Sequence, residues 1–457
     1  MGIRLDWEIE ADQQQVHQVS EDPVMRRRRR VARLRIMLGI ALVIVTVVGT
    51  AGAVVLRLRA VEEETERLLR SAVEAEAAAL RIGDETAFLA LQRSATDEWI
   101  AQQQQTFNDY QALKAARDVR LTGRVVDIAI DDQRGRVLVE EIVDGMPFVR
   151  AWFFWRYEDG WRHVPPDYTF WGEAQSLQGR HTSAYYREVD AQFAQAVVEA
   201  ADLWLERGCA ALGCASVPAL TVEIVPDETA QAAWALGEAW SLRLPSPYVG
   251  AARLDQPFDL NRQLEAAGLL AERLVDTVSG QLAPVFPSDA YYLRTAVISW
   301  LVGRFAQINT NSFLIASLAE SYGEAAVGAL VRALRPDAGV DVIAAVTGVP
   351  LDQTGLDWRD FFTWRLTVED ELLKRGEESA FLALYDTRSE DARLLAYARF
   401  AAGPTGERRV VVSAIVENDP VGGVRLRAIV QVGAGGSTTR QEAVLFRVSD
   451  GQWRRVS

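Results

Sequence analysis

The feature that most restricts how this chain can fold is an uncharged, largely apolar stretch of 21 residues from Ile36 to Leu56. As a helix that rises about 1.5 Å per residue, this stretch would be about 31 Å long, which matches the hydrocarbon core of a bilayer. The sequence therefore predicts a transmembrane helix at residues 36–56, with the lipid bilayer as the first expected partner of the protein.

The charges on either side of this stretch predict its orientation. The run RRRRRVARLR at residues 26–35 holds seven arginines, whereas only Arg57 and Arg59 follow the stretch before three glutamates at residues 62–64. The positive-inside rule therefore predicts a single-pass cell-membrane protein with a cytoplasmic N-terminus and an extracytoplasmic bulk. Cleavage of a signal peptide at residues 51–53 is the alternative, but the long basic segment and the length of the span favour a retained anchor.

The composition limits the functions of the extracytoplasmic part. The 457 residues include 49 basic and 63 acidic side chains, which gives a formal net charge of −14. Neutralising phosphates needs a basic face, so no nucleic-acid partner is expected despite the arginine run. The length suffices for about three domains with hydrophobic cores of their own.

A duplicated motif predicts the architecture of two of these domains. The words GDETAFLALQRSATDEW, from Gly83, and GEESAFLALYDTRSEDAR, from Gly376, share FLAL at the same offset. Four extended segments follow each word, and the last ones correspond as WRYEDGWRHV and FRVSDGQWRRV. Asp-Gly pairs at residues 144–145 and 159–160 separate strands of the first copy, and such pairs favour hairpins. We therefore expect a helix followed by a four-stranded antiparallel meander, present twice.

This arrangement resembles the cone-shaped nuclear transport factor two-like superfamily, in which a cystatin-like sheet curls around the N-terminal helix. The superfamily includes isomerases and dehydratases as well as scaffolding modules, and its enzymes use Asp, Tyr or His inside the cone. The resemblance implies a possible pocket at His163, Asp167 and Tyr168 of the first copy. A packed histidine is the simpler interpretation, because Arg455 and Val456 lie near the matching positions of the second copy.

The segment between the membrane and the first copy has an apolar stripe. Its spacing alternates between three and four residues, so the stripe would lie on one face of a helix that continues from the bilayer. A parallel dimeric stalk is one interpretation, and a first helix packed on the sheet of the next domain is the other. Small alanines are poor coiled-coil knobs and favour the second. The stripe comprises Leu58, Val61, Thr65, Leu68, Ala72, Ala75, Ala79 and Ile82.

The largest domain is organised around the amphipathic segment NRQLEAAGLLAERLVDTVSGQL at residues 261–282, which predicts a helix capped by Asp259 or Asn261 and ended by Gly280. This segment is preceded by a predicted helix from Tyr185 to Arg207 and by two predicted strands, LTVEIVP and SLRLP. Further predicted helices follow it. This order resembles the zinc peptidases of the gluzincin type.

Gluzincins carry H-E-x-x-H on the central helix and a third ligand on the next helix. At the corresponding positions this chain has Ala271, Glu272, Val275 and Val302. The resemblance therefore implies a peptidase-like domain without metal, cofactor or catalytic residues, in which Glu272 is a remnant that faces water or pairs with an arginine such as Arg304. The same resemblance implies a binding groove beside the LTVEIVP and SLRLP strands, where such peptidases pair an extended substrate with an edge strand.

The two cysteines, Cys209 and Cys214, lie in the word RGCAALGCASVP. A zinc site would need further ligands, and the sequence offers no other cysteine. In an exported domain such a pair favours a disulfide that closes a small loop, and two unpaired side chains are the alternative.

Two classes of function stay open. The first is a non-catalytic binding or scaffold protein, a pseudopeptidase that recognises a protein, peptide or cell-envelope component. The alternative is an enzyme, either an isomerase or hydrolase in the first cone or a divergent peptidase. The predicted fold is α+β and multidomain. Its parts are a polar tail with the arginine cluster (1–35), the transmembrane helix (36–56), the stalk helix and first cone (57–175), the peptidase-like domain (180–366) and the second cone (367–457).

Overall fold

The structure is a computed structural model that describes residues 23–280, 284–418, 424–433 and 440–457. Helices hold 51% and strands 25% of the residues, which confirms the predicted mixture of helix and sheet. Most of the polar tail predicted at residues 1–35 lies outside the described residues.

A helix of 60 residues, α1 (Pro23–Ile82), carries the apolar stretch and continues into the folded part of the chain. The side chains of residues 36–56 are exposed throughout. Among the described residues, α1 is the one helix that by itself is long and apolar enough to cross a membrane, a property that signal sequences share.

The last third of α1 packs against a sheet, which agrees with the second interpretation of its apolar stripe. The position of the buried face differs from the predicted one, because Leu58, Val61, Leu68 and Ile82 are exposed. Neighbouring helical positions point about 100° apart, so the sheet covers the side next to the predicted stripe. A dimer through α1 stays a prediction. The buried face comprises Thr65, Leu69, Val73, Glu76, Ala77, Ala79 and Leu80.

The first repeat unit (residues 65–164) combines the end of α1 with two helices and a meander in which β1, β2, β3 and β4 pair antiparallel in sequence order. Its helices cover one face of the sheet and enclose a hydrophobic core with it. The additional elements are α2 (Glu85–Ala90), α3 (Asp97–Ala116), β1 (Val119–Asp131), β2 (Arg134–Val143), β3 (Met146–Tyr157) and β4 (Gly160–Val164).

The second repeat unit (residues 358–456) has the same order of elements, and its sheet has the order β11-β12-β13-β14. The repeat starts earlier than the shared words indicated, because the helix before each word belongs to the unit. Leu69, Val73 and Leu80 are buried in the first unit, and Phe362, Leu366 and Leu373 are buried at matching positions of the second. The elements are α10 (Arg359–Arg375), α11 (Glu378–Leu382), α12 (Glu390–Ala402), β11 (Arg408–Asn418), β12 (Val424–Gly433), β13 (Arg440–Ser449) and β14 (Gln452–Arg455).

A central segment (residues 174–353) joins the two units. Its sheet has the order β5-β6-β7-β9-β8, with β6, β7 and β9 parallel. Short 3-10 turns at Tyr168–Phe170, Glu188–Asp190 and Leu351–Gln353 connect the elements. The elements are β5 (Ala174–Gln178), β6 (Thr182–Arg187), α4 (Ala191–Leu212), β7 (Leu220–Val225), β8 (Ala233–Trp234), β9 (Ser241–Pro245), β10 (Ala252–Arg253), α5 (Leu260–Ser279), α6 (Asp289–Ala306), α7 (Phe313–Tyr322), α8 (Glu324–Ala333) and α9 (Asp341–Thr347).

Two expectations about this segment are wrong in detail. The opening helix begins at Ala191, and Tyr185 lies in β6, where its backbone pairs with Glu223 of β7. The strands proposed to border a groove, β7 and β9, each have a partner strand on both sides, so neither offers a free edge. The helix predicted at residues 261–282 is α5, which Asp259 caps and Gly280 ends with a positive φ of 78°.

The central segment and the repeat units share one hydrophobic core. Leu138, Val149 and Phe153 on the outer face of the first sheet contribute to the same core as the central helices. Strand β10 also pairs with β3. At the end of α4, Cys209 and Cys214 form a disulfide. The first unit is therefore held against the central segment by packing and by backbone hydrogen bonds.

Candidate functional site

A cavity of about 330 Å3 lies inside the first repeat unit, between the sheet face that the helices cover and the helices themselves. Its wall combines aromatic rings with carboxylates. Glu228 and Val249 from the central segment complete the lining, so both parts of the chain form it. The lining from the first unit includes Glu76, Trp99, Gln103, Thr106, Tyr110, Leu121, Glu141, Arg150, Trp152 and His163.

A buried glutamate and a buried histidine meet at this cavity. Glu76 on α1 is 1% exposed and His163 on β4 is 7% exposed. The Nδ1 atom of His163 lies 2.7 Å from Oε1 of Glu76, and Nε2 of Gln92 donates to the same oxygen at 2.9 Å. The other oxygen of Glu76, Oε2, is buried and has no hydrogen-bond partner among the described residues. One carboxylate oxygen of a residue that lines the cavity is thus left without a hydrogen bond from the described residues.

Backbone and ring contacts fix the position of His163. Its N–H donates to the carbonyl of Leu91 at 2.9 Å, and its carbonyl accepts from the N–H of Arg93 at 2.8 Å. The imidazole stacks on Trp152 and Phe154 with ring centres 5.2 and 5.1 Å away. Within the described part of the chain, Nδ1 is the ring nitrogen that makes a hydrogen bond. Nε2 can therefore exchange a proton or a hydrogen bond with a molecule in the cavity.

A second carboxylate, that of Glu141 on β2, is half-buried in the cavity wall and accepts no hydrogen bond from a described residue. Burial raises the pKa of this carboxyl, and the nearby Arg150 opposes the shift. Burial also raises the pKa of Tyr110, whose hydroxyl oxygen accepts a hydrogen bond from the N–H of Leu121 at 3.3 Å. The wall thus contains a carboxylate that a cation would stabilise.

The second unit also has a glutamate at the position that matches Glu76, but its hydrogen-bond partners differ. Glu369 on α10 stands at the same distance before Gly376 as Glu76 does before Gly83. Its Oε2 accepts from Nη1 of Arg409 at 3.1 Å and from Nη1 of Arg455 at 3.0 Å. All three side chains are buried. The second unit therefore satisfies its glutamate with its own guanidinium groups.

Of the three residues predicted to form a pocket in the first unit, the structure places His163 at the cavity. Asp167 instead caps a 3-10 turn by accepting from the N–H of Thr169 at 3.0 Å. The ring of Tyr168 packs on Phe153 and Trp171, and burial raises the pKa of its hydroxyl to about 12.

Sequence reasoning missed the partners of His163. A signal was present, because Glu76 and Glu369 precede the two shared words by the same number of residues. Both lie in helical segments in which a buried charge interrupts apolar positions. Extending the repeat towards the N-terminus would have identified this pair.

The positions that match the zinc ligands of gluzincins lie in packed surroundings. Ala271 and Val275 are fully buried in the central core, and Val302 packs against it from α6. Glu272 is half-exposed and pairs with Arg294 at 2.9 Å, while Arg304 pairs with Glu324. Within the described ranges, no three His, Cys, Asp or Glu side chains come together in a way that could hold a metal ion.

We predict that the purified protein holds no stoichiometric zinc. We also predict that Glu272→Gln changes neither its zinc content nor its effect on peptides. The physical reason is that alanine and valine have no lone pair for a metal. Elemental analysis of the protein, before and after dialysis against zinc, measures this. One tightly held zinc per chain, or peptide cleavage that Glu272→Gln removes, would show that the prediction is wrong.

An open groove of about 610 Å3 borders Glu272 between α5 and α6, with Leu264, Leu269 and Ile298 among its apolar residues. This groove is the surface on which recognition of a protein or peptide by the central segment would rest, and that function stays a prediction. No family model, curated protein or solved structure matches the chain. The resemblances to the two families stay predictions as well.

Proposed function

We propose that this protein is a membrane-anchored, extracytoplasmic binding protein whose first repeat unit holds a small organic molecule. The observation that supports this function best is the cavity at Glu76 and His163, where a buried carboxylate oxygen has no hydrogen-bond partner among the described residues. A buried polar atom without a hydrogen bond is costly, so a ligand that supplies the bond gains affinity there. Concave sites with aromatic walls and a few polar groups are typical of small-ligand binding.

In this proposal the central segment supports the first unit. The N–H of Ala151 donates to the carbonyl of Tyr248 at 3.0 Å, and Nε of Arg150 donates to the carbonyl of Gly250 at 2.7 Å. These bonds hold the 248–250 loop beside the cavity. The central segment thus completes a binding site, a role that requires no peptidase activity.

The experiment that tests the function is a fragment screen by ligand-observed NMR on the full-length protein in detergent. Thr106→Trp is the variant, because Thr106 lines the cavity and a bulky ring there fills it. Asn108→Trp is the control, since Asn108 is exposed on the same helix. We expect fragments that bind the wild type and the control and lose binding to Thr106→Trp. Hits that bind Thr106→Trp equally well, or a screen without hits, would refute the function.

A second candidate function, acid–base turnover of the bound molecule, is favoured by the contact between His163 and Glu76. A carboxylate at Nδ1 orients an imidazole, as in hydrolytic dyads and triads. The discriminating result is a reaction that His163→Gln abolishes while binding of the fragment hits is retained.

The membrane topology gives a separate prediction. We expect a protease added to intact cells to remove the chain after residue 56 and to spare an N-terminal tag, because the arginines at residues 26–35 keep that end in the cytoplasm. Immunoblotting with tags at both ends measures the outcome. Permeabilised cells, in which both tags should be lost, provide the control. A protected C-terminal tag in intact cells would contradict the topology.

A further inference from the structure

Strand register aligns the walls of the two repeat units residue by residue. Phe154 faces His163 across β3 and β4, as Phe446 faces Arg455 across β13 and β14. The register of β2 with β3 and of β12 with β13 then matches Glu141 with Val432. On the neighbouring strands, Glu141 pairs with Leu121 and Val432 pairs with Arg409. These matched positions are Leu121 and Glu141 in the first unit and Arg409 and Val432 in the second.

The first unit lacks a guanidinium group that the second unit has at the matching position. In the second unit, the guanidinium of Arg409 reaches the buried Glu369 and also donates to Asp370 at 2.8 Å. In the first unit, Leu121 stands in place of Arg409 and lines the cavity. Glu76 contacts His163, which matches Arg455, through Oε1, and its Oε2 has no described partner. The first unit thus has the buried glutamate of this ion pair, but at the position of Arg409 it has Leu121 and a cavity.

The other charged side chains at the cavity also favour a cationic ligand. Four carboxylates line it, those of Glu76, Asp109, Glu141 and Glu228, against the guanidinium of Arg150 and the imidazole of His163. Arg150 already donates through Nε to the carbonyl of Gly250. A bound anion would be repelled by these carboxylates, and a neutral molecule would leave Arg150 as the one guanidinium among the described residues of the wall.

The uncharged part of the wall suits a cation with an apolar group. The rings of Trp99 and Trp152 line the cavity, both in contact with His163. Aromatic faces attract ammonium and guanidinium groups, and more strongly where water is excluded. We infer that the first repeat unit binds an organic cation, an amine or guanidinium carried on an apolar group, with Glu76 and Glu141 as its counterions. This inference rests on the proposed function and specifies its ligand.

The test compares four probes of similar shape: benzylammonium, benzylguanidinium, benzyl alcohol and benzoate. Each is titrated into the full-length protein in detergent, with tryptophan fluorescence and calorimetry as readouts. We expect the two cations to bind at least about tenfold more tightly than the alcohol. Equal or tighter binding of the alcohol or of benzoate would overturn the inference, and so would the absence of binding by either cation.

Two variants connect this preference to the named residues. Leu121→Arg supplies an internal guanidinium, as Arg409 does in the second unit, and should lower the affinity for the cations by about tenfold or more. Leu121→Met is the matched control and should keep cation binding. Glu141→Gln should weaken the cations and leave the alcohol unchanged, which tests the inference if Leu121→Arg fails to fold. Unchanged cation affinity in both Leu121→Arg and Glu141→Gln would refute it.

The outcomes separate this inference from the function on which it rests. In one outcome, neutral fragments bind the wild type, Thr106→Trp blocks them, and cations are not preferred. This outcome would support the binding function and refute the inference that the ligand is a cation. A screen in which nothing binds the cavity would refute both.

Discussion

Glu369→Ala is expected to lower the free energy of unfolding by about 3 to 5 kcal/mol, because it leaves the buried guanidinium of Arg455 without its ion-pair partner and that of Arg409 with Asp370 alone. Glu369 is 2% exposed and contacts Arg409 and Arg455 at 3.1 and 3.0 Å. Neither arginine can become neutral by losing its proton, so the buried charge persists in the variant. Urea unfolding of the full-length protein in detergent, followed by tryptophan fluorescence, measures the loss.

Two substitutions control this prediction. Glu371→Ala removes a solvent-accessible glutamate from the same helix, where ion pairs contribute little, so its effect should stay below about 0.5 kcal/mol. Glu76→Ala removes the matching glutamate of the first unit, where the partner is a histidine that can be neutral, and should cost about 1 to 3 kcal/mol. A smaller effect of Glu369→Ala than of Glu76→Ala would contradict our account of the two units.

Raising the pH from about 4 to about 8 should remove about 2 kcal/mol of stability through Asp190 alone. This carboxyl is fully buried and accepts hydrogen bonds from Nε1 of Trp171 and the hydroxyl of Ser246. Burial raises its pKa to about 6, although the hydrogen bonds oppose the shift. A group whose pKa is raised on folding contributes its stability below its ordinary pKa. That contribution is lost as the pH rises through the folded value.

The measurement compares wild type with Asp190→Asn across this range. Asparagine does not titrate, so the difference between the two free energies of unfolding isolates Asp190 from the other carboxyls. We expect this difference to move in favour of Asp190→Asn with rising pH, over the window between about pH 4 and 6. A constant difference, or one that moves in favour of the wild type, would contradict the assignment.

The duplication was the part of the fold that the sequence predicted best. Shared words at Gly83 and Gly376, followed by turns with Asp-Gly, were sufficient to predict one unit present twice, and the two meanders have the same strand order. Local chemistry determines hairpins, since the turn residues and the alternation of side chains act over short distances. Long-range partners depend on tertiary packing, and for this reason β10 joining β3 was not foreseen.

The site was harder to predict than the fold. His163 was singled out from its strand, but Glu76 lies on another element, and spacing alone cannot bring the two together. The apolar stripe of α1 was placed beside its true position for a similar reason. On the surface of the helix, alanines flank the face of Leu69 and Val73 on both sides. Hydrophobicity alone therefore did not identify the face that meets the sheet.

We infer that the two repeat units share one scaffold, in which the first holds an accessible cavity and the second is filled by its own side chains. Gln103 and Ala396 occupy matching positions on α3 and α12, and both are buried. The native cysteines are joined to each other, so a single introduced thiol can be followed without background. The most direct test is the rate at which methyl methanethiosulfonate modifies Gln103→Cys and Ala396→Cys in the folded, full-length protein. We expect Gln103→Cys to react at least about tenfold faster, because a thiol in a filled core reacts only through local unfolding. Equal rates, or faster modification of Ala396→Cys, would contradict the claim.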